Sequence, residues 1–499
     1  MRRRILNQTR RLKTIPINKI NETDCALPVA FREGTLFKYL RMKKLLLAVF
    51  AGCSLLASAQ HSHPTHRHAP LNVILGEVED TVGIMQAFIE NSPADYKVPD
   101  APRFAIVGKN EKFYLGFGGY VKGTMSFDWG SPINNYNEFI VSQIPMPGSS
   151  SYPFKPGNKG QFGISAQQSD IYLNMVALPK EKNKVGFYLN FIFLGNGYLP
   201  QVRQAYVSWR GIEMGYGFSL FTDLAADPST IDYEGPNSFT VVINAKFDYR
   251  HNFGKHFGIG IGAELPMASY TNGKGTDPRV TGGVLRTIGT ATVDQRIPDI
   301  PMYVQWNFGN NNRIRLSGLL RNMQYRGMMD EYGGSLVGGK TKNLVGGGVQ
   351  LSGNFNIANK LIGYYQATVG KGMTSYFEDV TGMGYDMVPC ATDPGKLQTV
   401  KAWGGYLGLQ YNWSSKVYSN LIYSHLRLYT PNYGDGSFDG SAYNFPQQYK
   451  YGQYAVANVF YNISNTFSWA LEYIYGRRMD WNHVQAHDNR IQTMLQVTF

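Results

Sequence analysis

Residues 489–499 read N-R-I-Q-T-M-L-Q-V-T-F. Ile491, Thr493, Leu495, Val497 and Phe499 share one parity, and Arg490, Gln492, Met494, Gln496 and Thr498 share the other, the period of two that a strand imposes on its faces. One face is apolar, and the other carries amides, hydroxyls and a guanidinium. A soluble sheet has to bury the apolar face, whereas a transmembrane barrel turns it to lipid and keeps the polar face on a water-filled lumen. The stretch also ends on an aromatic residue, as bacterial outer-membrane barrels commonly do.

The composition permits this reading. The 499 residues are 43% hydrophobic, 14% aromatic and only 17% charged, with 55 Gly, 34 Tyr and a mean hydropathy of −0.27. A helical membrane protein needs runs of about 18 or more apolar residues, and the sequence has none. In a barrel only alternate residues face lipid, so the mean hydropathy stays slightly negative.

Residues 42–59 read as a secretory signal: a basic start at Met42-Lys43-Lys44, an apolar run, and a small-x-small ending at Ala57-Ser58-Ala59. Residues 1–41 precede it, basic and unpatterned, and are expected to reflect a start codon placed too far upstream. Cys53 follows Ala51-Gly52 as in a lipoprotein site, but Phe50 stands where such sites carry Leu, and lipidation is not expected. The formal charge of +13 is largely leader: beyond Ala59 there remain 36 basic and 32 acidic residues, a net of +4. A nucleic-acid partner therefore loses its main support. Cys25 and Cys53 fall in the leader, which leaves Cys390 and excludes an internal disulfide or a Cys-based zinc site.

Residues 60–70 hold the tract H-S-H-P-T-H-R-H, with His61, His63, His66 and His68. It is expected to be a solvated tail in which any metal binding is weak and incidental. Leu71, Ile74, Val78, Thr81, Met85 and Phe88 recur at steps of three and four, so 71–92 predicts a short helix or coiled-coil segment. Thr81, Gly76 and Gly83 weaken that seam, and the Pro-rich stretch 93–103 reads as its linker.

From residue 104 onward the period is two. Phe113, Leu115, Phe117, Val121, Met125 and Phe127 alternate with Tyr114, Gly116, Gly118, Tyr120, Lys122, Thr124, Ser126 and Asp128. Comparable strands recur to the end of the chain. Aromatic residues such as Tyr411, Trp413, Trp469 and Tyr475 fall near strand ends, where a barrel carries its interfacial girdles. Short polar turns alternate with long loops at 330–342, 373–400 and 429–450. The fold class is therefore all-β: a transmembrane antiparallel β-barrel of about 16 strands over 104–499, wide enough for an aqueous channel, with a short N-terminal helical segment.

Several stretches resemble the DcaP-like family of outer-membrane porins: K-F-Y-L-G-F-G-G-Y-V-K at 112–122, R-Q-A-Y at 203–206, F-T-D-L-A-A-D-P-S-T-I-D-Y-E-G-P at 221–236, R-I-R-L-S-G-L-L-R at 313–321, 347–372, 404–411, and L-E-Y-I-Y-G-R-R at 471–478 followed by N-R-I-Q at 489–492. The resemblance spans the whole barrel. It implies a homotrimer of outer-membrane diffusion channels preferring small anionic solutes such as dicarboxylates, with a periplasmic coiled coil. The implied partners are outer-membrane lipid, the barrel-assembly machinery and those solutes; no cofactor is expected.

The residues propose a mechanism in their own right. The stretch 221–236 breaks the alternation and carries Asp223, Asp227, Asp232 and Glu234, so it is expected to fold into the lumen as an acidic constriction loop. Inward parity puts Lys122, Arg315, Arg321, Arg478 and Arg490 on the water side, with Arg203 and Arg286 ranked lower because their parity is ambiguous. A charge on the lipid face costs about 2–4 kcal/mol at the midplane, so each Arg alone needs no further explanation. Several on one wall, opposite the acidic loop, would set up a transverse field favouring anions. No nucleophile elbow, P-loop or H-E-x-x-H is present, so no enzyme is expected. Two alternatives remain open: a barrel hydrolase, for which Ser424 beside His425 is the wrong geometry because strand neighbours face opposite sides, and a surface-binding or adhesion barrel acting through its long loops.

Overall fold

Alternation in the last strand is answered at the other end of the sheet: Gln485–Thr498 pairs antiparallel with Phe113–Gly130 from Asp488↔Gly130 to Thr498↔Tyr120, which closes the barrel. A computed structural model describes residues 72–75, 81–93, 102–147, 160–276, 287–309, 311–330, 338–431 and 449–499. The expected leader and the His-rich tail, 1–70, lie outside them.

The closed sheet has 16 antiparallel strands. They are β1 (Phe113–Gly130), β2 (Gly160–Ser165 continuing as Asp170–Ala177), β3 (Val185–Ile192), β4 (Gln201–Trp209), β5 (Ile212–Phe218), β6 (Ile243–Phe253), β7 (Phe257–Glu264) and β8 (Thr287–Thr292 continuing as Ile300–Phe308). The second half comprises β9 (Asn312–Asp330), β10 (Thr341–Ala358), β11 (Leu361–Lys371), β12 (Lys401–Asn412), β13 (Val417–Tyr429), β14 (Tyr449–Asn462), β15 (Phe467–Asp480) and β16 (Gln485–Thr498). Each pairs with its sequence neighbours, which satisfies the backbone of the wall from strand to strand as hydrocarbon demands.

Turns such as 210–211, 254–256 and 359–360 lie on the rim that holds Phe499, while the long connections leave the opposite rim. Val121, Met125, Phe127 and Trp129 of β1, Leu407 and Leu409 of β12, and Ile491, Leu495 and Val497 of β16 are exposed on the outer face. Aromatic rings collect at both ends of that apolar band. Trp129 meets Tyr473 near the long-loop rim, and Phe257–Trp306–Phe308 and Tyr411–Trp413 mark the short-turn rim. The parity of 489–499 holds: Arg490, Gln492 and Met494 point inward.

The N-terminal segment differs from the expected helix over 71–92, and the barrel begins at Phe113 rather than at 104. Asn72–Leu75 is a strand lying parallel to Phe104–Val107, which lies antiparallel to 114–117 of β1. The reason is an edge. Phe499 exchanges backbone hydrogen bonds with Gly119 at 2.9 and 3.0 Å, and the stretch of β1 below that point is paired by Phe104–Val107 instead, which leaves it no open edge. Helix α1 is confined to Thr81–Asn91. Its Ile84 and Phe88 are fully buried against Ala105, Val107, Tyr114 and Val176 of the same chain, so the buried face is Ile84, Ala87, Phe88 and Asn91, and of the described seam residues Phe88 alone lies fully within it while Thr81 is exposed.

Asn91 fixes the helix to the inner wall. Its Nδ2 donates to Asn174 Oδ1 at 2.7 Å and to the Phe187 carbonyl at 3.1 Å, its Oδ1 accepts from Ser208 Oγ at 2.6 Å, and its carbonyl accepts from Tyr206 at 3.0 Å. Residues of β2, β3 and β4 thus converge on one amide. Asn91→Ala leaves several buried groups unpaired and is expected to cost about 1–3 kcal/mol, read as earlier proteolytic release of α1 from an intact barrel.

Candidate pore constriction

Three loops fold back into the barrel from the long-loop rim: loop A (131–147), loop B (219–242) and loop C (372–400). They do so because they carry apolar residues that find apolar partners on the inner wall. Phe139, Val141 and Ile144 of loop A pack on Ile422, Val456 and Ile474; Phe221 of loop B and Met373, Phe377 and Val380 of loop C pack on Leu319, Leu426 and Leu428. Those wall residues stand at inward positions of β9, β13, β14 and β15.

Loop B spans the interior. At its root Asp223 sits 2.8 Å from Arg313 and 3.8 Å from Arg315, and Ser352 donates to it at 2.6 Å. Arg315 lies over the Tyr303 ring at 4.0 Å and donates to Gln305 at 3.0 Å, so its fork is held flat. The loop then crosses to the far wall. Tyr406 donates to the Ala226 carbonyl at 3.0 Å, and Asn420 and Asn458 donate to the Ser229 carbonyl at 3.0 and 2.9 Å. Glu472 of β15 accepts from the backbone N–H groups of Ile231 and Asp232 at 2.9 and 3.0 Å. Gly235, with φ of +74°, turns the chain back, a conformation glycine takes without strain. The return leg is tied down by Ser424 to Ser238 at 2.7 Å and by Gln366 to the Ser238 carbonyl at 2.9 Å.

The residues singled out in the sequence fall into two groups. Lys122 donates to the Ile231 carbonyl at 2.9 Å, Arg315 meets Asp223, and Arg203 lies over the Tyr233 ring at 5.5 Å while pairing with Asp170 at 3.5 Å; these touch loop B. Arg321, Arg478 and Arg490 instead pair with carboxylates of other segments. Arg321 bridges Asp299 and Asp386, both at 2.9 Å; Arg478 pairs with Asp480 at 2.9 Å; Arg490 grips Asp128 bidentately at 2.7 and 2.8 Å. Arg286 lies outside the described residues. Instead of one basic wall facing one acidic loop, cations and carboxylates interleave around the lumen.

Asp232 accepts from the Phe139 N–H and from Tyr454, both at 2.8 Å. Burial, reinforced by the Glu472 charge, pushes its carboxyl up to about 7. Asp227 lies beside the turn at Gly235. Glu234 is buried, and desolvation and the Asp379 and Glu378 carboxylates hold it well above the usual range.

Several residues here were missed in the sequence. Lys246, Asp248 and Arg250 of β6 alternate inward and interlock with Glu213: Lys246 reaches Glu213 at 2.6 Å and Asp248 at 2.7 Å. The i, i+2 spacing of K-F-D-Y-R was their available signal. Asp299, Asp386, Tyr376 and Glu264 form a buried network around Arg321; nothing local marks them, because they come together only when loop C folds in. Ser424 and His425 do face opposite ways, Ser424 to loop B and His425 between Trp403 and Tyr451 on the outer surface.

Solved structures share this architecture. The outer membrane channel DcaP of Acinetobacter baumannii superposes with a TM-score of 0.60 at 17% identity, over 79% of this chain and 99% of that one. The fold is that of an outer-membrane channel. OmpT, an outer membrane protein of Vibrio cholerae, matches with a TM-score of 0.47 at 9% identity over 79% and 100% of the two chains, and an anion-selective porin from Comamonas acidovorans with 0.44 at 12% over 78% and 100%. No protein-family model matches the chain, and no curated protein matches it by sequence. The outward apolar band on a closed barrel, taken with this fold, places the chain in the bacterial outer membrane.

Proposed function

We propose that this barrel is a porin that passes small hydrophilic solutes by diffusion and prefers anionic ones, dicarboxylates among them. The observation that carries the preference is a narrow recess between the end of α1 and the root of loop B, whose wall presents Lys246, Arg250 and Arg315 beside Gln204 and Tyr303. Arg250 and Arg315 offer planar donor forks that match a carboxylate and keep their charge at any physiological pH. The recess also holds Glu213, which orients a dipolar solute as well as moderating the positive field.

Arg250→Gln with Arg315→Gln is expected to move the reversal potential in a salt gradient across a planar bilayer toward cations. An unchanged reversal potential would remove the anion preference and leave a general porin. The homotrimer implied by the family resemblance belongs to the same proposal. A three-fold mass of the detergent-extracted, unheated protein supports it, and a monomer mass at all concentrations counts against it.

A further inference from the structure

Loops A, B and C come from distant parts of the chain and touch one another: the Tyr233 N–H donates to the Asn137 carbonyl at 3.2 Å, the Glu378 N–H to the Phe239 carbonyl at 3.1 Å, and the Ser142 N–H to Asp379 at 2.9 Å. These contacts bring Glu138 of loop A, Asp232 of loop B, and Glu378 and Asp379 of loop C near enough for their charges to act on Glu234 of loop B. Most have donors: Asn135 serves Glu138 at 2.9 Å, and the Ser142 N–H and Tyr449 hydroxyl serve Asp379 at 2.9 and 3.1 Å. Among the described residues Glu234 and Glu378 show no side-chain donor, and Glu234 is the more deeply buried of the two. It is 3% exposed, and neither carboxylate oxygen has a hydrogen-bond partner among the described residues. Three residues on, the fully buried Asn237 has no partner there for either polar atom of its side chain. Asn237 is aimed at the same place: its Nδ2 and the Tyr449 hydroxyl that serves Asp379 both crowd the position a Cβ would take on Gly452.

The cations around this cluster have closer engagements. Arg203 acts on Glu378 but pairs with Asp170; Arg478 acts on Asp379 but is held by Asp480; Arg490 acts on Asp232 but grips Asp128. Lys122 faces Asp232 and Glu472 and donates to a backbone carbonyl of loop B. The cluster is left with more carboxylates than neighbouring positive charge. A buried carboxylate without donors, among like charges, is stable only in its neutral form. Protonation is what removes the cost of a buried charge at Glu234.

Building on the channel reading above, we propose that Glu234 is a proton-binding latch: protonated, it lets loops A, B and C pack together across the lumen, and ionised, it repels Glu378 and Asp379 and drives loop C away from loop B, widening the path. The direction agrees with the local acidities. Burial, chiefly, pushes Asp232 and Asp379 up to about 7 and Glu234 and Glu378 well above the ordinary carboxylate range. Carboxyls whose acidity is weakened by packing favour the packed state at low pH and oppose it as pH rises through those values. The packed, narrow state is therefore lost from about pH 7 upward.

The test is the conductance of the full chain in a planar bilayer as pH is raised from about 6 to about 9, in low divalent salt. A reversible rise is expected, and Glu234→Gln with Glu378→Gln is expected to hold the channel at its low-pH conductance throughout. Asp393→Asn, on the hairpin of loop C where Asp393 pairs with Lys396 at 3.4 Å, keeps the wild-type rise. The same rise in the double variant, a fall with pH, or closure by calcium at constant pH would each overturn the latch. If the double variant does not assemble, the wild-type curve decides alone, since a flat response contradicts the proposal. Current that ignores pH removes the latch only, whereas absence of current at every pH removes the channel and the latch with it.

Discussion

Arg490→Ala is expected to destabilise the barrel by about 3–5 kcal/mol, the range found when one partner of a buried ion pair is removed. Arg490 and Asp128 stand directly opposite each other where β16 meets β1, and both are buried, with side chains 0% and 1% exposed. The guanidinium also donates to the Asn135 carbonyl and lies over the Phe139 ring at 5.2 Å. The pair therefore joins first strand to last and fastens loop A to both. Without the arginine, Asp128 is an unpaired buried charge near Asp488, Phe139 and Ile133. The loss should appear as a lower urea midpoint for the transition from fast-migrating folded barrel to unfolded chain on unheated gels. Asp128→Leu with Arg490→Met, which fills the same volume without charge, is expected to recover most of it, since replacing a whole buried pair by apolar residues is often neutral. A single variant as stable as wild type would show that closure does not depend on this pair.

The wall was legible in the sequence and its contents were not, for a physical reason. Each strand of the wall carries its own period: Arg313, Arg315 and Arg321 alternate with Ile314, Leu316 and Leu320, and the structure keeps that parity because lipid enforces it residue by residue. Loop B was detectable as a break in that period, dense in carboxylates. The partners of its charges were not, because pairing across a lumen depends on tertiary folding that leaves no local pattern. Loop C was read only as a long connection and loop A was not singled out, yet a signal was present. Ile422, Leu426 and Leu428 of β13, with Val456 and Ile474, stand at inward positions where a water-filled lumen has no use for them, and apolar residues on both faces of a strand imply that something covers the inside. The N-terminal heptad misled for the opposite reason. Its spacing fits a coiled coil, but the face that packs is the one carrying Ile84, Ala87 and Phe88, against this chain's own Ala105, Tyr114 and Val176.

Shortening loop B carries the second large effect. Residues 224–234 make the crossing, from the Asp223 anchor at the β9–β10 wall to the Glu472 and Tyr454 contacts on the other side, and no strand pairing of the barrel passes through them. Replacing them with a short Gly-Ser link removes the crossing and keeps the wall. Ion flow is set by the narrowest section, so single-channel conductance should rise roughly twofold or more, and the charge preference contributed by the loop's carboxylates should change with it. The unheated variant should still migrate as a folded barrel, which separates a widened pore from a damaged one.

The measurement that bears most directly on the whole account is the single-channel current of the wild-type protein beside that variant, in the same bilayer and salt. Discrete steps from the wild type, and clearly larger steps from the shortened loop, are the result expected of a water-filled barrel narrowed by loop B. A silent wild type, or steps of equal size from both, would contradict it.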